Sequence, residues 1–300
     1  MNGHIGLIHA ILPATVELSV NVPESHPSAR NLGSERFGSG TIIDPNGYIL
    51  TVHYVTIGAS SITVTLSDGE QHAAQIAAQD QETGLSLVKI SAGALPYLKM
   101  APPDSVALGQ PVVMIASNDK NSRRVRGGYV SSMECYDGEW EYMLEKTIRV
   151  TDFNPGFGGG TLANFRGELI GVVSLNLNEV GKFTLAIPVD YYRTYEQELK
   201  QYGQVRSRPR RPWLGIYPQC IAGHVIVGGV ATNGPAAKCG LRQGDIIMSV
   251  EKNDIRSRQE LYHEMWKKHP GERISFRILR DDRSFDLEVV GGDRADRYRT

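Results

Sequence analysis

Short aliphatic and β-branched runs, separated by turn-forming residues, fill the sequence between Gly38 and Pro188. Runs such as "GTIID", "YILTV" and "FTLAIPV" alternate with Asp-Pro-Asn-Gly and Ser-Asp-Gly turns. Repeated short strands with such turns are typical of an all-β sandwich or barrel. The only helical pattern lies at the end of this region, with Asp190 placed as the N-cap and Gly203 beyond the last turn.

The composition changes at residues 204–212, which carry four arginines and two prolines. Such a segment is typical of a linker. It predicts a first domain over residues 1–203 and a second over 213–292. A chain of 300 residues with 41% hydrophobic content is long enough for two cores.

The N-terminal stretch, residues 1–20, has an apolar middle but lacks the basic start and cleavage site of a signal peptide. We expect a first strand here and a cytoplasmic location for the chain as written. A periplasmic location is the alternative if a leader was trimmed. No window reaches the roughly 18 uninterrupted apolar residues of a membrane span, so none is predicted.

Charge and side-chain spacing exclude several kinds of partner. A formal net charge of −1 argues against a nucleic-acid partner, which requires a basic surface. The three cysteines form no disulfide framework or zinc pair, and the eight histidines have no metal-ligand spacing. The glycine-rich stretches lack the ending of a phosphate loop. We therefore predict neither a metal nor a cofactor.

The second domain has the pattern of a compact α+β module. Its longer helix is predicted to start at a capping box of Ser257 and Glu260, and its last two strands are joined by residues 281–283. The other expected elements are a strand over 224–230, a short helix over 234–240 with Gly240 as its C-cap, and a strand over 245–254.

Ordered motifs in both domains resemble the HtrA serine protease family. In the second domain, "WLGI", "GPAAKCGLRQGDII" and "HPGERISFRILRDD" resemble its PDZ domain. In the first, "GSGTIIDPNGYILT", "LSLVKI", "NPGFGGGTL", "RGELIGVVS" and "LAIPVD" resemble its trypsin-fold domain. The resemblance covers roughly Leu12 to Val290. It implies a mostly β chain: a trypsin-like double six-stranded β-barrel followed by a small α+β PDZ domain.

The resemblance also places the family's catalytic triad on residues that cannot perform its chemistry. Tyr54 stands in the histidine slot, Gly84 in the aspartate slot and Gly158 in the serine slot. Acyl transfer by this route requires a nucleophile, a base and an orienting carboxylate. No catalytic residue is therefore expected, and Gly156, Phe157 and Gly158 are interpreted as the remnant of the oxyanion loop.

Two points about this cleft stay open at the level of sequence. Phe157 either covers the cleft or packs in the core. His53 lies one residue before the histidine slot, which leaves the alternative of an active serine endopeptidase of protein quality control with a displaced constellation. Its nucleophile would be a serine outside the remnant loop, such as Ser39, Ser132 or Ser174.

By the same resemblance, the PDZ-like module binds a peptide as an added strand, with the peptide carboxylate at a loop of backbone N–H groups. The residues assigned to this loop are Trp213, Leu214, Gly215 and Ile216. Leu261 and Met265 form the opposite wall or belong to the core. The short segment "YPQCIAG" after this loop indicates that one end of the groove is rebuilt.

These observations predict an HtrA-like pseudoprotease that serves as a peptide-binding scaffold or regulator. Its expected partners are peptides or unfolded and C-terminal protein segments, and an active HtrA-like protease is a further candidate. Because the family commonly forms trimers, a homotrimer or a mixed trimer is the expected oligomer. Besides the displaced endopeptidase, a chaperone-like holdase is an alternative function.

Overall fold

The chain forms two compact units in the computed structural model, which describes residues 2–119, 122–177 and 183–294. The first unit comprises residues 1–135 and 145–206. The second comprises residues 136–144 and 207–300. Residues 136–144 thus interrupt the first unit in sequence but belong to the second unit.

The first unit contains two closed six-stranded barrels, as the sequence predicts. The strands of the first barrel are β1 Thr15–Asn21, β2 Glu35–Ile42, β3 Tyr48–Val52, β4 Ser61–Thr65, β5 Gln71–Asp80 and β6 Leu85–Ile90. Those of the second are β7 Pro111–Asp119, β8 Ser122–Ser132, β11 Ile148–Val150, β12 Thr161–Asn164, β13 Leu169–Leu177 and β14 Phe183–Pro188. The first barrel has the strand order β1-β2-β3-β6-β5-β4 and the second has β11-β14-β13-β12-β7-β8.

Four α-helices accompany the barrels in the described part of this unit: α1 Asn2–Ile11, α2 Ala29–Leu32, α3 His53–Thr56 and α4 Asp190–Tyr202. The second unit holds the hairpin β9 Tyr136–Gly138 and β10 Tyr142–Leu144. Its remaining strands are β15 Pro212–Trp213, β16 Ile216–Ile221, β17 His224–Val230, β18 Ile246–Val250, β19 Asn253–Asp254, β20 Arg273–Arg280, β21 Arg283–Val290 and β22 Gly292–Asp293. Its helices are α5 Pro235–Lys238 and α6 Arg258–Met265.

The predicted strand at the N-terminus is wrong for residues 2–14. Helix α1 and a 3₁₀ turn over Leu12–Ala14 precede β1, which starts at Thr15. Ile8 and Ile11 are spaced three apart, which suits a helix face, and Pro13 then prevents the helix from continuing.

Three predicted boundaries also shift. Asp190 is the first residue of α4 and Val189 precedes it as the N-cap, whereas Gly203 ends the helix in the left-handed conformation. Cys239 is the C-cap of α5, one residue before the predicted Gly240. The strand predicted over 245–254 is divided into β18 and β19, because residues 251–252 adopt positive φ and form a turn.

Among the described residues, no helix is long and apolar enough to cross a membrane. The same part of the chain contains no group of three or more His, Cys, Asp or Glu residues that could hold a metal ion.

Candidate functional site

The loop between β11 and β12 is built so tightly that its glycines have no space for side chains. A Cβ on Gly156 would lie 2.2 Å from the Ser117 carbonyl oxygen. One on Gly159 would lie 2.0 Å from the Ser39 carbonyl oxygen, and Gly159 has φ of +94°. Contacts below 3 Å with backbone atoms require the chain to move. These glycines are therefore required by the fold of the loop.

At Gly158 the obstacle is a side chain. A Cβ built on this residue would lie 1.8 Å from the hydroxyl oxygen of Tyr54 and 2.8 Å from its Cζ. Tyr54 lies on α3 and its hydroxyl donates to the Ser174 carbonyl oxygen at 3.1 Å. The tyrosine in the predicted histidine slot thus fills the space that a side chain in the predicted serine slot would need.

The chemistry of this tyrosine is that of a neutral phenol. Burial raises the pKa of Tyr54 to about 12, although hydrogen bonding with the side chain of Ser174, distinct from the carbonyl contact, acts in the opposite direction. A general base works best with a pKa near the operating pH. Tyr54 therefore cannot replace the histidine as a base near neutral pH.

The shift in Tyr54 predicts a specific loss of stability in alkali. Its pKa is about 12 in the folded chain against a reference value of 10.0, so the folded state resists ionisation. The stabilising contribution is complete below about pH 10 and is lost as the pH rises from 10 towards 12. By pH 11 we expect the wild type to have lost about 1.4 kcal/mol more than Tyr54→Phe, relative to about pH 9. Urea unfolding of both proteins measures this difference. The prediction would be contradicted if the free energy of unfolding depended on pH equally in the wild type and in Tyr54→Phe.

Backbone groups of the remnant loop bond to other parts of the first unit. The Phe157 N–H donates to the Ser117 carbonyl at 2.7 Å, and the Gly159 N–H donates to the Val173 carbonyl at 2.7 Å. The Gly156 N–H, in the predicted remnant of the oxyanion loop, donates to Oδ1 of Asn154 at 3.1 Å. An oxyanion at this position would have to compete with that side chain.

Phe157 lies half-buried in the remnant loop, stacked on another phenylalanine. Its ring centroid is 5.7 Å from that of Phe37, with an interplanar angle of 25°. Phe37 itself is 44% exposed. Such an aromatic pair stabilises the fold by more than its buried area alone accounts for. The contact holds the Phe157 ring beside the exposed surface of β2.

The other two predicted positions are joined through the backbone. His53 is the first residue of α3, and its N–H donates to the carbonyl oxygen of Gly84 at 2.8 Å. Gly84 has φ of 75°, which an aspartate would adopt only with strain. Because the segment is helical, His53 and Tyr54 point about 100° apart around the helix axis.

One of the serines considered as a displaced nucleophile has its hydroxyl committed to the backbone. Ser39 is buried, and its hydroxyl donates to the Phe157 carbonyl at 3.0 Å and accepts from the Ser117 N–H at 2.8 Å. Ser174 contributes its carbonyl oxygen to Tyr54. Ser132 is the last residue of β8.

Arg36 is a residue of this site that sequence reasoning missed. Its guanidinium donates to the carbonyl oxygens of Tyr54 at 3.1 Å, Ile57 at 2.9 Å and Gly33 at 2.9 Å, and to the Ser28 hydroxyl at 2.7 Å. Arg36 is 6% exposed. Sequence alternation gave the opposite signal, because it would place the apolar Phe37 inwards, whereas the structure buries Arg36 and exposes Glu35 and Phe37.

In the second unit, the predicted carboxylate loop surrounds a carboxylate of the same chain. The Leu214 N–H donates to Oε2 of Glu141 at 3.0 Å. The Gly215 and Ile216 N–H groups donate to Oε1 at 2.5 and 2.8 Å. Burial raises the pKa of Glu141, while Arg294 and the three N–H groups oppose that rise. Sequence reasoning missed Glu141 because it lies 73 residues before the loop.

The remaining predicted groove residues lie in the same unit. Leu261 and Met265 are fully buried on α6, and Trp213 is half-buried. Strand β16 pairs with β17 as far as Ile221 and His224, so the short segment "YPQCIAG" forms the first strand and the turn of a tight hairpin. That this hairpin rebuilds one end of the groove stays a prediction.

Comparison with known proteins identifies both units. Residues 38–172 match the family described as a trypsin-like peptidase domain, and residues 212–290 match the PDZ domain. The chain is homologous to the DegP/HtrA serine endoproteases.

The curated relatives of this HtrA homologue carry the name "Probable periplasmic serine endoprotease DegP-like". The protein from Pseudomonas putida strain GB-1 is 30% identical over 288 residues, which cover 90% of this chain and 59% of the relative. That from Halomonas elongata is 28% identical over 289 residues, covering 90% and 60%. The chain thus spans about 60% of the length of these relatives.

Solved structures of HtrA-type proteases have the same architecture as this HtrA homologue. The protease AlgW with a decapeptide is 27% identical, with a TM-score of 0.60 and coverage of 97% of this chain and 98% of that one. The serine endoprotease from Yersinia pestis is 26% identical, with a TM-score of 0.60 and coverage of 97% of both chains.

Proposed function

We propose that this HtrA homologue is a pseudoprotease that binds peptides or unfolded protein segments without cleaving them. The observation that carries the proposal is the position of the Tyr54 hydroxyl, 1.8 Å from where a Cβ of residue 158 would lie. Gly158 provides no nucleophile, and Tyr54, whose pKa is about 12, stays protonated near neutral pH and cannot serve as the general base. Without a triad, substrate binding and an oxyanion hole accelerate hydrolysis only roughly 10³-fold to 10⁴-fold over the reaction in water, and this is negligible for a peptide bond.

Peptide binding is supported by the PDZ family match and by the homologous AlgW, which has been solved with a decapeptide and with a tripeptide. An edge strand and a loop of N–H groups are the parts that such binding requires. The periplasmic name of the relatives favours the periplasmic alternative over a cytoplasmic location. A mixed trimer with an active HtrA-like protease belongs to the same proposal.

The competing function is that of an active serine endopeptidase, as the relatives are named. Both functions are tested by incubating the purified chain with unfolded casein and with a fluorophosphonate probe. We expect no turnover and no labelling, because the slots of nucleophile, base and carboxylate hold Gly158, Tyr54 and Gly84. The P. putida relative is the positive control.

Binding is measured on the same samples, so that a missing activity is not taken for misfolding. Fluorescently labelled casein should show a rise in anisotropy with the chain and should run at full length on a gel afterwards. Cleavage that disappears in His53→Ala would establish the endopeptidase. Absence of both cleavage and binding would reject the scaffold function.

A further inference from the structure

The side chain of Glu141 presents the same chemical group as the end of a peptide. Its two oxygens receive the N–H groups of Leu214, Gly215 and Ile216, and it is fully buried. Successive backbone N–H groups that converge on one anion are the means by which proteins capture a C-terminal carboxylate. A peptide carboxylate would require the same three donors, so the two cannot be bound at once.

The backbone at Glu141 is in an unusual conformation. Its φ is 56°, in the left-handed region that non-glycine residues rarely adopt. Such a conformation costs on the order of 1 kcal/mol or more and persists only where surrounding contacts hold it. The Glu141 N–H donates to the Tyr262 hydroxyl at 3.1 Å, and the Arg294 guanidinium donates to the Glu141 carbonyl oxygen.

The hairpin that carries Glu141 is attached to α6, the helix predicted to form the groove wall. The Tyr262 hydroxyl donates to the Gly138 carbonyl oxygen at 2.6 Å. Arg258 donates through Nε to Oδ2 of Asp137 at 2.7 Å and through a terminal nitrogen to its carbonyl oxygen at 3.2 Å. Charge-assisted bonds of this kind are among the stronger ones. The hairpin tip is therefore held by both the loop and the helix.

Strand β16, which follows the loop, keeps one edge without a strand partner among the described residues. It is the terminal strand in the order β16-β17-β18-β20-β21. A peptide could add to this edge by main-chain hydrogen bonds, as in β-augmentation. The strand subsite is present, whereas the carboxylate subsite is occupied.

We propose that Glu141 is an internal ligand of this loop, and that a peptide with a free C-terminal carboxylate binds there only by displacing the hairpin tip. The inference rests on the peptide-binding function proposed above. An internal ligand acts at the high effective concentration of a tethered group. Apparent affinity falls in proportion to the fraction of molecules with an open loop.

The occupied loop is tested first without any peptide, by hydrogen exchange on the full chain. In the wild type, the amides of Leu214, Gly215 and Ile216 should be protected. In Glu141→Ala they should exchange at least about tenfold faster, because their acceptor is gone. Glu139→Ala is the matched control, since that carboxylate lies on the same hairpin and is half exposed. Unchanged exchange of the three amides in Glu141→Ala would overturn the inference.

A second variant guards against a folding defect in Glu141→Ala. Tyr262→Phe keeps the ring stacked on Trp266, at a centroid distance of 4.9 Å, but removes the hydroxyl that holds the hairpin. It should also accelerate exchange at the three amides, while amides of β20 and β21 stay protected. If protection of β20 and β21 is lost in Glu141→Ala, the exchange rates of the three amides in Tyr262→Phe decide whether the inference stands.

Competition is then measured by fluorescence anisotropy with fluorescein-labelled decapeptides ending in Val, Leu or Phe, each as free acid and as amide. We expect the free acids to bind the open variants at least about tenfold more tightly than the wild type. The amides should show no such gain. Equal affinity for wild type and open variants would overturn the competition.

The two readouts separate failure of the inference from failure of the proposed function. Faster amide exchange without binding of any free acid would reject peptide capture at this loop, and the competition with it. It would leave Glu141 as a purely structural ligand. Slow exchange with tight binding by the wild type would reject Glu141 as a barrier while retaining the scaffold function.

Discussion

Gly158→Ala should destabilise the first unit by about 3 kcal/mol, because the added methyl group would lie 1.8 Å from the Tyr54 hydroxyl. Overpacking of this kind forces side chains from their rotamers or shifts the backbone. The three tryptophans, Trp140, Trp213 and Trp266, all belong to the second unit. Urea unfolding followed by circular dichroism covers the whole chain, whereas tryptophan fluorescence follows the second unit alone. The loss of stability should appear in the unfolding transition that is followed by circular dichroism.

Two variants control for this prediction. A Cβ on Gly93 would have no atom within 4 Å, so Gly93→Ala should change stability by less than about 0.5 kcal/mol. Combining Gly158→Ala with Tyr54→Ala should recover at least about 1 kcal/mol of the expected sum, since the two residues compete for one space. A cost at Gly158 no larger than at Gly93 would show that the Tyr54 hydroxyl leaves room. It would also remove the main support for the pseudoprotease.

The same steric argument applies to a serine introduced at residue 158. Its side chain would meet the Tyr54 hydroxyl before it could meet a substrate. Introducing a nucleophile there thus requires simultaneous replacement of Tyr54, and a base would have to be supplied in the same step. Residues 54 and 158 share one space, so a larger residue at 158 requires a smaller one at 54.

Arg36→Ala should cost about 3 kcal/mol, since it removes four hydrogen bonds of a buried guanidinium and leaves the carbonyl oxygens of Tyr54 and Ile57 without that donor. Because two of the bonds hold α3 at Tyr54 and Ile57, hydrogen exchange in 53–57 should rise as well. Arg30→Ala, at an exposed position of α2, is the control and should be nearly neutral. Equal stability of the two variants would contradict an anchoring role for Arg36.

The fold could be predicted because it depends on which residues occupy ordered motifs. The assignment of Tyr54, Gly84 and Gly158 to the triad slots follows from the same motif order and stays a prediction. That the Tyr54 hydroxyl fills the place beside Gly158 depends on the side-chain direction of a short helix, which motif order does not determine.

Long-range contacts of single side chains set the other limit of sequence reasoning. Glu141 reaches the 214–216 loop across more than 70 residues of sequence. No periodicity or capping signal indicates such a pairing, and its positive φ has no signature in a glutamate. The N-terminal helix was missed for a different reason, because a short apolar run suits either a strand or a helix.

Membership of residues 136–144 in the second unit bears on how its binding should be assayed. Cutting the chain at the arginine-rich linker is the obvious way to isolate the module, yet the fragment would omit this hairpin. Its three loop amides would then face water instead of Glu141. In such a fragment no internal carboxylate would compete for the three amides. We therefore expect its affinity for a peptide with a free C-terminal carboxylate to exceed that of the intact chain.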